Sequence, residues 1–242
     1  MSYWLLKLLL SPLFYLLWEV KVEGLENVPS SGAAVIAANH QSFCDSLFIP
    51  LVVKRKVTYL AKAEYFDSWK TAWFFRAVGQ IPIRRGGGSE AEQAILTAKE
   101  ALAAGRLLAM YPEGTRSLDG KVHRGRTGVA RLSRESWVPV IPAGIIGTAS
   151  VQPVGSRIMR PGKRVVIRFG APVSMPPAPN PEDPMVGHDH TVCRAFTDSL
   201  MKEIARLADQ EYVDSYVPKR AIEPKPAFAT RVRAGLTRGC GS

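Results

Sequence analysis

Cysteine is scarce in this chain of 242 residues: there are three, Cys44, Cys193 and Cys240, an odd number without metal-ligand spacing. That pattern points away from a disulfide framework or a cysteine-held metal and toward reduced thiols in a cytosolic compartment. Cys240, third from the end, does not form a CaaX prenylation box. A hydrophobic run long enough to span a bilayer is also missing. The most apolar stretch, Tyr3 to Trp18, is interrupted by Lys7, Ser11 and Pro12. As a helix it covers about 22 Å, short of the roughly 30 Å hydrocarbon core. No small-residue cleavage site follows it, since the chain runs straight into Glu19-Val20-Lys21, which argues against a secretory signal peptide. Acidic residues are few beside basic ones, 21 against 32, so the net charge is +11 and the pI near 9.8. Such a surface selects anionic partners: phospholipid headgroups, phosphorylated substrates or nucleic acid. There is no internal repeat, and no recognised nucleic-acid module accompanies the charge.

What is present suits one large domain, or one domain with appendages. Tyr3, Trp4, Tyr15 and Trp18 are residue types that favour the headgroup boundary. Residues 1–19 are therefore expected to form an interfacial helix lying on the cytosolic leaflet, peripheral or monotopic. The alternative is a terminal helix packed on the protein's own core. Downstream, Val20-Lys21-Val22 alternates like a short strand, and Ala33 to Ala38 and Val57 to Ala61 read as buried strands. Glu64 to Ala77 is aromatic and helical in tone. Gln80 to Ile83 is a short strand that Pro82 assigns to an edge or a strand end. Ser89 to Ala104 carries an N-terminal Ser with Glu92 three residues on and a Gly105 stop. Leu107 to Tyr111 is a strand, Thr127 to Arg134 a helix, Val138 to Ile146 an apolar run and Arg164 to Phe169 a late strand. Strands alternating with helices at this spacing predict an α/β fold with a mostly parallel central sheet flanked by helices. Residues 20–175 form the expected catalytic domain and 176–217 a proline-rich linker with a last helix from Thr191 to Gln210. Residues 218–242 form a basic tail, either solvated or attracted to anionic lipid.

The chemistry begins at Asn39-His40-Gln41-Ser42-Phe43-Cys44-Asp45. A histidine beside a carboxylate is the minimum kit for taking a proton from a hydroxyl. Five residues apart, the two side chains stand roughly 140° apart on a helix. A strand end running into a helix can bring them together. Cys44 invites a Cys/His nucleophile reading, against that of a small packing residue. Tyr111-Pro112-Glu113-Gly114-Thr115-Arg116-Ser117 follows another strand, so this loop and His40 should lie at the same, ligand-binding end of the sheet. Gly114 permits close backbone approach, Thr115 offers a hydroxyl and Arg116 a fork matched to phosphate. Gly79 to Arg85 closes on two arginines, Arg84 and Arg85, and His123 to Gly128 adds Arg124 and Arg126 at a helix start. Each of the three, taken alone, is also compatible with a solvated surface loop.

Taken together these segments resemble the glycerolipid acyltransferase family that includes the 1-acylglycerol-3-phosphate acyltransferases. The family's N-H-x4-D is matched by Asn39, His40 and Asp45, and its glycine-hydrophobic stretch ending in arginine by Gly79, Ile81, Ile83 and Arg85. Its aromatic-P-E-G-T-R-S is matched by Tyr111 to Ser117, and its V-P-hydrophobic-hydrophobic-P by Val138 to Pro142. Order and intervals agree over roughly residues 20 to 175. Arg84 stands where the family often has Asp, Pro82 is unusual in its strand, and Arg126 stands where a lysine is common.

The resemblance implies transfer of an acyl group from a thioester, acyl-CoA or acyl carrier protein, to the free sn-2 hydroxyl of 1-acylglycerol-3-phosphate, giving phosphatidic acid. It implies no metal or other cofactor. His40 would be the general base, with Asp45 fixing its tautomer. Arg85 and Arg116 would grip the acceptor phosphate, with Arg84 and Arg126 as secondary cations and Gly114 and Thr115 supplying hydrogen bonds. Glu113 would orient an arginine or the acceptor's other hydroxyl, and Pro142 would contact the acyl donor or the tetrahedral intermediate. Other acceptors (glycerol-3-phosphate, a lyso-ornithine or amino lipid, a glycolipid) are alternatives, as is a non-catalytic membrane lipid carrier. A nucleic-acid binder is suggested by charge alone.

Overall fold

In the computed structural model, which describes residues 2–67, 69–83, 89–156, 158–176 and 190–218, strands and helices alternate along most of the chain. The strands are β1 (Glu19–Glu23), β2 (Ala34–Ala38), β3 (Val57–Lys62), β4 (Ile81–Ile83), β5 (Leu107–Met110), β6 (Val122–His123), β7 (Val140–Ile146), β8 (Arg164–Phe169) and β9 (Tyr212–Val213). The helices are α1 (Ser2–Leu17), α2 (Asp45–Val52), α3 (Trp69–Ala77), α4 (Ser89–Ala103), α5 (Gly128–Ser136), α6 (Thr148–Val151) and α7 (His190–Leu207). The aromatic stretch expected as one helix is two pieces, a 3₁₀ turn at Ala63–Phe66 and then α3.

Seven strands form one sheet in the order β1-β8-β7-β2-β5-β3-β4. β7, β2, β5, β3 and β4 are mutually parallel; β8 runs antiparallel to β7, and β1 is parallel to β8. β4, with Pro82 at its centre, is an edge strand, where a missing N–H costs least. β2 lies centrally and is buried along its whole length, as a strand covered on both faces must be. Its side chains alternate between two cores. Ala34, Ile36 and Ala38 face a layer built from α1 and α2, through Phe14, Trp18, Phe48 and Ile49. Val35 and Ala37 face the layer of α4, α5 and α7, through Leu102, Leu132, Met201 and Ile204. The helix that follows the proline-rich stretch thus shares the core of the main sheet.

Two glycines are demanded by geometry. A Cβ on Gly144 would lie 2.3 Å from the Leu207 carbonyl carbon, so glycine in β7 is what lets the end of α7 approach the sheet backbone to backbone. Gly105 has φ +71 and closes α4 by donating to the Leu102 carbonyl while the Arg106 N–H returns to Ala101.

α1 packs one face on the protein's own core and leaves the other exposed. Tyr3, Phe14 and Trp18 are buried, and Phe14 meets Trp18 and Phe48 with ring centroids 4.8 and 5.2 Å apart. Lys7 turns inward as well: its ammonium donates to the carbonyls of Pro50 (2.9 Å) and Val53 at the C-terminal end of α2. Burial lowers its pKa, and the helix dipole of α2 favours the cation there. The other face exposes Trp4, Leu5, Leu8, Leu9, Tyr15 and Leu16, the last at 83%. Of the four aromatics expected at a headgroup boundary, Trp4 and Tyr15 are exposed while Tyr3 and Trp18 serve the core. Among the described residues no helix is long and apolar enough to cross a membrane. The basic tail, apart from Pro218, lies outside the described residues, as does most of the proline-rich stretch from 177 to 189. Its first part is seated on the sheet, where Val173 and Val140 exchange two backbone hydrogen bonds of 2.8 Å.

Candidate active site

β2 ends at Ala38, and the chain turns into α2 within seven residues. Asn39 makes the turn rigid: its side-chain amide donates to the Ile145 carbonyl (2.9 Å) and its carbonyl accepts the Ile145 N–H (2.7 Å), continuing the β2–β7 ladder past the strand end. Asp45 begins α2, where the unpaired N–H groups and the dipole favour an anion. Its Oδ2 accepts from the backbone N–H groups of Gln41 and Ser42, both at 2.8 Å, and lies 2.9 Å from Nδ1 of His40. Asp45 is fully buried, and the His40 side chain is 17% exposed. The strand-to-helix turn therefore brings together the pair that a single helix keeps apart.

A carboxylate is an acceptor only, so its contact with Nδ1 places the proton on that nitrogen and leaves Nε2 with a lone pair. The imidazole is held from the side by Tyr111, whose ring stacks on it at 3.9 Å between centroids and 7° between planes. The Tyr111 hydroxyl is bonded to Ser46 Oγ (2.9 Å) and to the Tyr59 hydroxyl (3.4 Å), and burial raises the pKa of both phenols. The sequence offers Tyr111 as the aromatic ahead of P-E-G-T-R; its contact with His40 appears only in three dimensions.

Glu113 is a correction. Its carboxyl is buried at 2% exposure and bridges two backbones, Oε2 accepting the His40 N–H (3.0 Å) and Oε1 the His123 N–H (2.9 Å). It ties the P-E-G-T-R loop to the His40 turn, and both of its oxygens accept a backbone N–H rather than an arginine among the described residues. Burial pushes its pKa up to about 7, against the pull of the two N–H donors. The Ser117 N–H adds a 2.7 Å bond to the His40 carbonyl, so the loop clamps the histidine from both sides of its backbone.

Gly114 turns with φ +75, and a Cβ there would meet Nε of Arg126 at 2.9 Å. Arg126 thus lies across the loop; its own N–H bonds the Pro112 carbonyl (2.7 Å) and its guanidinium faces the Tyr216 ring at 5.8 Å. Thr115 is exposed, and Arg116 is half-buried without an ion pair among the described residues. Arg124 is occupied by Asp198 and Asp214. Arg84 and Arg85 lie outside the described residues. Pro142 is not at the site surface. It is buried in β7 opposite Ala37, offers no N–H, and its carbonyl accepts the Gly170 N–H at 2.8 Å. Cys44 is fully buried, with burial pushing its thiol up to about 12, the profile of a packing residue rather than a nucleophile. Among the described residues no cluster of three or more His, Cys, Asp or Glu is placed to hold a metal ion.

The His40–Asp45 pair thus sits at the carboxyl end of a parallel strand, where α/β folds place their ligands, and the P-E-G-T-R loop clamps it there. The chain belongs to the acyltransferase family, whose family model matches residues 19–146. It is 32% identical over 164 residues to a chloroplastic 1-acyl-sn-glycerol-3-phosphate acyltransferase of Arabidopsis thaliana, covering 66% of this chain and 46% of that protein. A chloroplastic 1-acyl-sn-glycerol-3-phosphate acyltransferase of Brassica napus is 30% identical over 151 residues, covering 62% and 44%. The chain thus spans about half the length of the curated relatives it matches. Among solved structures, the 1-acyl-sn-glycerophosphate acyltransferase of Thermotoga maritima superposes with a TM-score of 0.56 at 28% identity, covering 76% of this chain and 72% of that one.

Proposed function

We propose that this chain transfers a fatty acyl group from a thioester to the free sn-2 hydroxyl of 1-acylglycerol-3-phosphate. The observation that carries the proposal is the 2.9 Å contact of His40 Nδ1 with the Asp45 carboxylate, which makes Nε2 the acceptor. The names of the plant relatives and of the Thermotoga maritima structure support the acceptor. In this reading Nε2 takes the hydroxyl proton as the oxygen attacks the thioester carbonyl. Asp45 stabilises the imidazolium, which then returns the proton to the departing thiolate. The thioester is already activated, so no acyl-enzyme is required. Arg116 and Arg126, with Arg85 and Arg84, bind the acceptor phosphate, and Thr115 adds a hydroxyl. The exposed apolar face of α1 seats the protein on the membrane that holds the acceptor, at its cytoplasmic face.

The test is a panel of lyso-acceptors incubated with labelled acyl-CoA and, separately, labelled acyl carrier protein. Label is expected in phosphatidic acid when 1-acylglycerol-3-phosphate is supplied. Transfer confined to phosphate-free acceptors would overturn the assignment of the arginines, and no transfer from either donor would overturn the reaction.

A further inference from the structure

After α7, residues 210–216 run from the His40 turn to the arginines that follow the P-E-G-T-R loop. At the start of this segment Gln210 Oε1 accepts from the side-chain amide of Asn39, the residue before His40, at 3.0 Å. Tyr212–Val213 then pairs in parallel with Val122–His123, as β9 with β6. Lys121 and Glu211 add an ion pair of 2.7 Å beside the two strands. The Ser215 carbonyl accepts the Arg124 N–H at 3.0 Å and stands 3.2 Å from Nδ1 of His123. The segment is thus fastened at both ends, and it lies beyond the residues 19–146 that the family model matches.

Tyr216 stands at the far end of the segment. Its ring centroid is 5.8 Å from the guanidinium of Arg124 and 5.8 Å from that of Arg126. Its hydroxyl accepts from Nη1 of Arg194 at 3.3 Å, and the same nitrogen donates to the Gly125 carbonyl, between the two arginines, at 2.7 Å. The ring is therefore fixed relative to both cations, which differ in what else they meet. Arg124 lies 3.5 Å from Asp198 and 3.4 Å from Asp214, so its charge is taken up. Arg126 is exposed, its stem lies over Gly114, and it has no ion pair among the described residues. A guanidinium held at an aromatic face keeps its in-plane N–H donors free for an oxyanion, and it has fewer rotamers left to lose when one binds.

We propose, on the footing of the reaction inferred above, that Tyr216 is a positioning residue for the acceptor. It holds the Arg126 guanidinium beside the P-E-G-T-R loop, and residues 210–216 thereby complete the phosphate-binding end of the site. Tyr216 acts through Arg126 and does not itself touch the reacting atoms. Its contribution falls on the affinity for the phosphate-bearing acceptor and leaves the His40–Asp45 pair, and so the chemical step, as it is.

The test uses the full chain as wild type, Tyr216→Phe, Tyr216→Leu, Arg126→Ala and the double variant Arg126→Ala with Tyr216→Leu. Initial rates are measured against 1-acylglycerol-3-phosphate at saturating acyl donor, and then against the donor at saturating acceptor. Tyr216→Leu should raise the acceptor KM about two- to fivefold, the scale of one exposed cation–π contact. Its kcat and its donor KM should stay within about 1.5-fold of wild type, as for a residue that serves acceptor binding alone. Tyr216→Phe keeps the ring and should restore the wild-type KM. In the Arg126→Ala background the leucine should add nothing, because the interaction it removes is already gone. Tyr216 is half exposed, so the unfolding midpoint of Tyr216→Leu should move by no more than about 2 °C. An acceptor KM unchanged in Tyr216→Leu, a loss carried by kcat, or the same rise in KM with and without Arg126 overturns the proposal. A wild type that transfers no acyl group to this acceptor overturns the reaction instead, and calorimetric binding of sn-glycerol 3-phosphate to the same forms then decides the role of Tyr216. A weakening that requires both Arg126 and the Tyr216 ring supports it, and an affinity indifferent to Tyr216 overturns it.

Discussion

The imidazole of His40 and the phenol of Tyr111 lie face to face, 3.9 Å between centroids and 7° from parallel. The stack fixes the plane in which Nε2 points, and Asp45 fixes the rotation within that plane through its 2.9 Å bond to Nδ1. Tyr111→Phe keeps the ring and should retain turnover within a few fold. It should cost about 1 kcal/mol of stability from the hydroxyl's lost bonds to Ser46 and Tyr59. Tyr111→Ala removes the stack and should depress kcat much more than KM. Steady-state kinetics alongside thermal unfolding of the two variants distinguish these effects.

His40→Ala and Asp45→Asn should each lower turnover at least about a hundredfold, the scale of a positioned general base. Asp45→Asn also sets an amide against two backbone N–H donors at Gln41 and Ser42, so its unfolding midpoint should fall while that of His40→Ala changes little. Near-wild-type turnover in His40→Ala would defeat the mechanism.

Glu113 sets an acid-side pH dependence of stability. Its carboxyl titrates near 4.5 in the unfolded chain and near 7 when buried. Between those values the folded chain holds a proton that the unfolded chain has released, so stability falls as pH rises through the window. Glu113→Gln offers one carbonyl to two N–H donors and should be less stable by about 1–3 kcal/mol at the acid end. That gap should narrow as pH climbs from 4.5 to 7, because only wild type loses a bound proton there. Denaturant unfolding at several pH values checks this; a gap that widens over the range contradicts it.

The two faces of α1 should respond oppositely to substitution. Leu8→Asp and Leu16→Asp alter exposed positions and should leave stability within about 0.5 kcal/mol while reducing sedimentation with phospholipid vesicles. Phe14→Ala empties a buried position against Trp18 and Phe48 and should cost about 3–5 kcal/mol. Vesicle binding unaffected by the aspartates would remove the membrane role of this face.

Much of the frame is legible in the chain because it is local. A short apolar run such as Ala33 to Ala38, six residues behind a Gly turn signal, reads as a buried strand by its length and flanks, and Gly105 after a periodic helix reads as its stop. Pro82 pointed to an edge strand or a strand end, and β4 lies at the edge of the sheet. The aromatic stretch from Glu64 to Ala77 was less legible, since bulky residues fit a 3₁₀ turn and a helix alike and the break falls between them.

The sequence by itself determined the alternation of strands and helices, the place of His40 and the P-E-G-T-R loop at strand ends, and the basic character of the protein. These depend on periodicity, turn chemistry and composition, which act over a few residues. Tertiary structure alone decided what each polar group faces. Glu113 binds a backbone N–H 73 residues away, Tyr111 finds a ring 71 positions earlier, and Lys7 turns into the end of α2. The physical reason is the same in each case. A polar side chain must be satisfied by whatever the packing of distant elements brings beside it, and no local pattern records which group that will be.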